Sequence, residues 1–312
     1  MTITLFDNAI IDGNVTSAFD YHNRLCSISI HITTNSQLVE LATVMQEPFP
    51  TLTYLRLIAM DPDSPVLPSG FLGGSAPLVQ EAVLRRIPFL QYPPFLLSAR
   101  DLVTLSLSGI PSKGFISPVA LVTGLAAALK LRTLSISLEA PTPRLRPKPL
   151  HTIRTLLPSL TSFLLVGDSD YLEDLAARIE CPRLNNIYIE YDVPRDDLQV
   201  SQLLQLISRS EDPRLNKFEW VEIHSSSAGC TFGFHRAHTY KPIWILLRAQ
   251  EWLCSHLPSH ILQVCDQFST YLSMVRHLPI ELDSDDSNLS SGGWERLLQP
   301  FTAVSTLCVS GF

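Results

Sequence analysis

An α/β solenoid of repeated strand-and-helix units is predicted by three observations. The form LxxLxL recurs along the chain with a period of about 27 residues. The last positions of each copy alternate apolar and polar, as a half-buried strand requires. Helix-like stretches follow several copies, opened by capping residues. Together these are the signature of a leucine-rich-repeat horseshoe, with parallel strands on a concave face and helices on the convex side.

The copies begin at Leu25, Leu52, Val79, Leu102, Leu131, Leu160, Leu184 and Leu215, giving steps of 27, 27, 23, 29, 29, 24 and 31 residues. Two late copies start at Val275 and Val304, and the gap of 60 before Val275 suggests a degenerate copy around Ile243 to Leu247. The whole of 1–312 therefore reads as one repeat domain, with 1–24 as an N-terminal cap, 25–221 as the clearer repeats and 222–312 as degenerate ones. A doubly wound α/β domain is the rival reading. Regular spacing, LxxLxL in place of continuous Val/Ile runs, and the lack of a glycine-rich phosphate turn favour the repeat.

Helices are expected where periodicity changes. Ser36 to Gln46 carries Leu38, Leu41 and Met45 on one face. Ser117-Pro118 forms an N-cap and first-turn pair ahead of Val119 to Lys130. Asp168 to Ile179 is acidic first and basic late, matching the helix dipole, and Asp196 to Ser208 has a leucine stripe. The asparagine that often ends such strands is replaced by Met60, Ile87, Ile110 and Glu139, and proline is frequent in Pro62 to Gly74 and Ala140 to Leu150. Irregular loops are expected there.

Composition excludes several classes. With 46% hydrophobic and 17% charged residues, the chain can bury a core and is not a disordered polymer. A net charge of -7 and the lack of a basic stripe argue against nucleic acid as partner. The longest apolar run, near Val119 to Leu129, is far short of the roughly 20 residues of a membrane helix, so no membrane is expected. No targeting segment is evident at the N-terminus. The six cysteines contain no CxxC pair and read as reduced thiols of a cytoplasmic or nuclear protein.

Several phrases resemble a large family of mushroom-type fungal F-box proteins. They are Val44-Met-Gln-Glu-Pro-Phe-Pro-Thr-Leu-Thr-Tyr-Leu55, Gly70-Phe-Leu-Gly-Gly-Ser-Ala-Pro77 and Leu97-Ser-Ala-Arg-Asp-Leu-Val-Thr-Leu105. Ile116-Ser-Pro-Val-Ala-Leu-Val122, Tyr171-Leu-Glu-Asp-Leu-Ala-Ala-Arg-Ile179 and Pro300-Phe-Thr-Ala-Val304 fit as well. The resemblance implies a leucine-rich-repeat region that holds a protein substrate, attached to an F-box that docks on the adaptor of a cullin-type ubiquitin ligase. No F-box pattern is found in this chain, so adaptor binding is expected only through an F-box outside it. A repeat scaffold or regulator with no ligase link is the alternative.

The partner-binding positions follow from strand alternation. They are Tyr54, Arg56, Glu81 and Arg85, then Thr104, Ser106, Thr133 and Ser135, then Tyr188 and Glu190. Ser27, Ser29, His31, Leu164, Val166, Lys217, Glu219 and Val221 share that face, whereas Phe218 and Trp220 are assigned to the core.

No catalytic residue is expected, because no GxSxG, HExxH, Walker or GxGxxG motif is present, and Gly70 to Ser75 reads as a turn. No cofactor is implied. Cys230-x4-His235-x2-His238 and Cys254-x-His256-x3-His260 are tolerable zinc spacings without a recognised framework, so no metal is assigned. Asp283, Asp285 and Asp286 read as a solvated turn, and the late aromatics, including Trp244 and Trp252, as packing. The final Val309 to Phe312 segment is expected to leave an exposed apolar edge.

Overall fold

The computed structural model describes residues 1–5, 17–61, 63–139, 154–192, 200–209, 218–226, 229–236, 243–248, 257–282 and 291–311. The chain is an α/β protein that divides into two compact units. One comprises Met1–Arg144, Leu150–Leu160 and Arg178–Glu180; the other Leu145–Pro149, Thr161–Ala177 and Cys181–Phe312.

In the first unit the strands are β1 (Thr2–Leu5), β2 (Ser27–Ile32), β3 (Tyr54–Ala59), β4 (Glu81–Arg85), β5 (Thr104–Ile110) and β6 (Thr133–Leu138). They pair in chain order and all in parallel. The helices between them are α1 (Asn35–Val44), α2 (Pro94–Ser98) and α3 (Pro118–Leu125). A two-residue strand, β7 (Thr155–Leu156), pairs in parallel with β9 (Ile179–Glu180).

The second unit holds β8 (Ser162–Asp168), α4 (Ser169–Arg178, its last residue counted with the first unit), β10 (Asn186–Asp192), α5 (Ser201–Ser208), β11 (Phe218–Ser226), β12 (Gly229–Arg236) and β13 (Ile243–Arg248). It continues with α6 (Leu257–Gln267), α7 (Ser269–Leu272), β14 (His277–Leu282), α8 (Ser291–Leu298) and β15 (Thr306–Gly311). Here the strand order is β8-β10-β13-β12-β11-β14-β15.

Seven of the LxxLxL copies share one local device. The first residue of each closes a tight turn by donating its N–H to the carbonyl three residues earlier. Leu52 donates to Phe49, Val79 to Ala76, Leu102 to Ala99, Leu131 to Ala128, Leu160 to Leu157, Leu184 to Cys181 and Val275 to Leu272. Four of these turns read Phe49-Pro-Thr-Leu52, Ala76-Pro-Leu-Val79, Leu157-Pro-Ser-Leu160 and Cys181-Pro-Arg-Leu184. Proline suits the second position of such a turn because its φ is already set.

One backbone carbonyl then accepts two N–H groups from the next copy. The Cys26 carbonyl takes Thr53 and Tyr54 at 2.8 and 3.2 Å. That of Thr53 takes Gln80 and Glu81, that of Gln80 takes Val103 and Thr104, and that of Val103 takes Arg132 and Thr133. The second unit repeats the device at Thr161, which takes Asn185 and Asn186, and at Arg276, which takes Ser305 and Thr306.

Alternation puts the apolar residues inside. Leu55, Leu57, Leu105, Leu107, Leu134 and Ile136 are buried, and the leading Leu25, Leu52, Val79, Leu102 and Leu131 are fully sealed. The helices cover this side. Thr34 caps α1 in a capping box with Gln37, burying Leu38 and Leu41. Ser117 caps α3, its hydroxyl accepting from the Ala120 N–H at 3.2 Å with Pro118 in the first turn. That helix ends at Leu125, short of the expected Lys130. Gly70 to Ser75 is a turn, as read from the sequence.

Two expectations are corrected. The strands do not run parallel throughout: β12 is antiparallel to both β11 and β13, and β13, not β11, pairs with β10. The gap before Val275 thus holds a strand that the repeat did not foresee. The faces of β11 are also shifted, because an irregularity between Phe218 and Trp220 displaces the register. Trp220 is 45% exposed and Val221 is buried, the reverse of the assignment from LxxLxL. The segment 1–24, read as an N-terminal cap, includes the strand β1. Most of Asn8 to Tyr21, all of Ala140 to Leu150, and Leu215 and Lys217 lie outside the described residues. Leu307 and Val309 of β15 are exposed, as expected of an apolar edge. Among the described residues no helix is long and apolar enough to cross a membrane.

Candidate functional site

In the first unit, register aligns the outward side chains in rows across the strands. One row runs Ser27, Tyr54, Glu81, Thr104, Thr133; the next runs Ser29, Arg56, Val83, Ser106, Ser135. A third carries Ile58, Arg85 and Ser108. Eight of the ten expected binding residues therefore share one sheet face. All are half-buried except Arg85, which is exposed. Arg56 lies low on this face, with its Nε sealed from solvent and lacking a hydrogen-bond partner. Ile58 departs from the alternation and is buried.

Just past the strand ends, Arg86 takes a left-handed backbone with φ of 56°. Its N–H donates to the Ser108 carbonyl at 2.8 Å, and its guanidinium crosses to Glu139, also at 2.8 Å. The position that lacks the usual asparagine is here filled by one half of an ion pair.

The other two expected residues, Tyr188 and Glu190, lie in the second unit on β10. Tyr188 is half-buried, and its hydroxyl donates to Glu190 Oε2 at 3.2 Å. Glu190 is a correction: it was placed on an open face but is 5% exposed. Leu164 and Val166 stand beside Tyr188 and Glu190 across β8 and β10.

Sequence reasoning missed a cluster next to this pair. Trp220, Glu222 and His224 alternate outward on β11, opposite His235, Gly233 and Thr231 of β12. Glu222 joins two imidazoles: its Oε1 is 2.9 Å from His235 Nε2 and its Oε2 is 3.7 Å from His224 Nε2. His224 Nδ1 meets Glu281 of β14 at 2.7 Å. The His235 ring stacks on Trp220 with centroids 5.1 Å apart and meets Trp244 of β13 edge-on at 5.7 Å. Gly233 makes room for this layer. A Cβ there would lie 2.7 Å from both Glu222 Cγ and Trp244 Cζ3. The signal was available in the alternation of Glu222 and His224 with buried Val221 and Ile223, but two apolar residues in sequence, Trp220 and Val221, masked its phase.

The zinc spacings do not converge as far as they can be followed. Cys230 is buried on the inner side of β12, whereas His235 is on the outer side, bonded to Glu222. Among the described residues no group of three or more His, Cys, Asp or Glu side chains is placed to hold one ion. His238, Cys254, His256, the His260 side chain, Trp252 and Asp283, Asp285 and Asp286 lie outside the described residues.

Groups with strongly altered proton affinity are internal. Burial raises the phenols of Tyr92, Tyr171 and Tyr191, the carboxyl of Glu173 and the thiol of Cys265. Glu173 of α4 is built into the fold. It accepts the N–H groups of Gln202 and Leu203 at 2.7 and 3.1 Å and the Ser201 hydroxyl at 3.1 Å, capping α5. Gln267 of α6 accepts the Val200 N–H at 2.9 Å. A pocket of about 200 Å³ lies between α1 and Pro65 to Pro68, lined by Leu38, Val39, Ala42, Thr43, Gln46 and Leu67.

Comparison with protein families finds no family model that matches the chain, and comparison with curated proteins finds no relative.

Proposed function

We propose that this chain is a leucine-rich-repeat solenoid that binds another protein, and that it is the substrate-recognition part of an F-box-type ubiquitin ligase subunit. The recurring backbone device carries the repeat reading. A turn closed by the first motif residue, then a carbonyl accepting two N–H groups from the next copy, recurs across copies of different sequence. Such recurrence is what stacked units of one architecture produce. The side chains left outward vary from copy to copy, from Tyr54, Arg56 and Glu81 to Ser106 and Ser135. A constant frame with a variable face suits protein recognition, in which Tyr and Arg serve as anchors. The sequence phrases resembling fungal F-box proteins support the ligase assignment.

The test is affinity capture with the tagged chain. Alanine at Tyr54, Arg56, Glu81 and Arg85 together should abolish capture of the protein bound by the wild type. Alanine at Val39, exposed on α1, should leave it intact. Equal capture by all three would count against the face. For the ligase assignment, the purified chain should not retain the cullin adaptor by itself. With an F-box joined to it, loss of the captured protein should depend on the same four side chains.

A further inference from the structure

The outward face of the first unit carries two guanidiniums without a counter-charge. Arg56 on β3 is level with Val83 on β4, and Arg85 stands two residues further along β4, level with Ile58. The two arginines are therefore diagonal neighbours on adjacent strands, and side chains of this length reach a common ligand from such positions. Among the described residues neither side chain has an ion-pair or hydrogen-bond partner. The next residue, Arg86, already holds the Glu139 carboxylate at 2.8 Å. Among the described outward residues of β2 to β6 the carboxylate is Glu81, two positions before Val83 and level with Tyr54, toward the other end of the strand. Ser29 lies beside Arg56, Ser106 beside Val83 and Ser108 beside Arg85. Arginine keeps its charge at any pH the protein meets, so the cations at this end of the face do not depend on titration.

We propose that this face binds an acidic segment of the partner protein, with carboxylates seated on Arg56 and Arg85. The proposal rests on the protein-binding reading of the face and names the chemistry of what is bound. Arg56 is half-buried with its Nε sealed, so recognition falls to its two terminal nitrogens. Arg85 is exposed and offers its whole planar fork. An extended segment places alternate side chains roughly 6.6–6.8 Å apart, close to the ~7–8 Å between diagonal neighbours of a sheet. Carboxylates two residues apart therefore suit the pair. The flanking serine hydroxyls supply further donors. Charge complementarity selects the occupant. A basic segment would meet two unneutralised arginines, and a purely apolar one would bury them without a counter-charge.

The test uses fluorescein-labelled octapeptides alternating glycine with glutamate, with glutamine or with arginine, titrated with the full chain and read by anisotropy. The glutamate peptide should saturate and should weaken as salt is raised. The glutamine and arginine peptides should not bind. Arg85→Gln should raise the dissociation constant about fivefold, the effect of one exposed charge pair. Arg56→Gln, at a half-buried position, should raise it about tenfold, equivalent to about 1.4 kcal/mol. Glu81→Gln should lower it about twofold by removing a like charge from the same face. Val39→Ala should leave it unchanged. Arg85 is exposed, so Arg85→Gln keeps the wild-type melting temperature and carries the test even if Arg56→Gln unfolds the chain. Equal binding of the glutamine peptide, or of the glutamate peptide by Arg85→Gln, overturns the proposal. If the glutamate peptide fails to saturate while capture of the partner still depends on Tyr54, Arg56, Glu81 and Arg85, the acidic assignment falls and the protein-binding reading stands. Capture indifferent to all four side chains fails the protein-binding reading itself, and the proposal with it.

Discussion

Arg86 reaches Glu139 directly above Gly109: the ion pair closes at 2.8 Å, and a Cβ on Gly109 would lie 2.8 Å from Glu139 Oε1 and 3.1 Å from Arg86 Cγ. Gly109 also has φ of +61°, and the β5–β6 register shifts between Leu107 and Ile110. A glycine is needed here for both conformation and space. Gly109→Ala should cost about 1–3 kcal/mol, read as a fall in urea midpoint. Glu139→Gln should cost less than about 1 kcal/mol, because the pair is partly solvated. A larger loss from Glu139→Gln than from Gly109→Ala would show that the ion pair, and not the backbone, holds this corner.

Glu173 is buried, and its carboxylate serves the start of a helix distant in sequence. Glu173→Ala should destabilise the chain by about 1–3 kcal/mol, since it strands donors at α5. The pH dependence has a definite sign. Burial holds this carboxyl above its ordinary value. The folded state therefore takes up the proton more readily than the unfolded chain. Its stabilising contribution is fully present below the unfolded value and is lost as pH rises through the folded one. Against Glu173→Gln, which does not titrate, the stability difference should move against the wild type from about pH 4 upward.

The shifted register of β11 gives a paired expectation. Val221→Ala removes methyl groups from a sealed site and should cost about 1.5–3 kcal/mol. Trp220→Ala alters an exposed ring and should cost under about 1 kcal/mol, despite the larger side chain. Thermal melts of the two variants decide between this register and the LxxLxL one, which predicts the opposite order.

Thiol accessibility should divide by position. Burial, with Asp266 adding to it, pushes the Cys265 thiol up to about 12. Cys26 and Cys308 are exposed. With a colorimetric disulfide reagent at neutral pH and peptide mapping, Cys26 and Cys308 should label within minutes and Cys265 only on unfolding. Early labelling of Cys265 would place it outside the core.

The strands of the LxxLxL copies from Ser27–Ile32 to Asn186–Asp192 were legible because each copy states its own burial: leucines that must leave water alternate with serines, threonines and charges that need not. The helix start at Ser117 was legible because a cap acts over three residues. The tight turn ahead of each copy was also present in the sequence, as the proline in Phe49-Pro-Thr-Leu52 and its counterparts, but had no part in the reading. Glu173 was read only as dipole-matching charge on its own helix, because nothing near it in sequence indicates that Ser201 to Leu203 would approach.

What the sequence alone determined is which motif residues face inward in the copies from Leu25 to Leu184, because apolar burial depends on side-chain identity and short-range period. Tertiary structure decided the pairing of β10 with β13, the antiparallel β12, the displaced face of β11 and the cluster around Glu222. Strands pair through backbone N–H and C=O groups, which are alike at nearly every residue and carry no label for their partner. A one-residue irregularity between Phe218 and Trp220 exchanges the two faces at no cost in hydrophobicity, since Trp220 and Val221 are both apolar. Only the packed sheet distinguishes which of the two is buried.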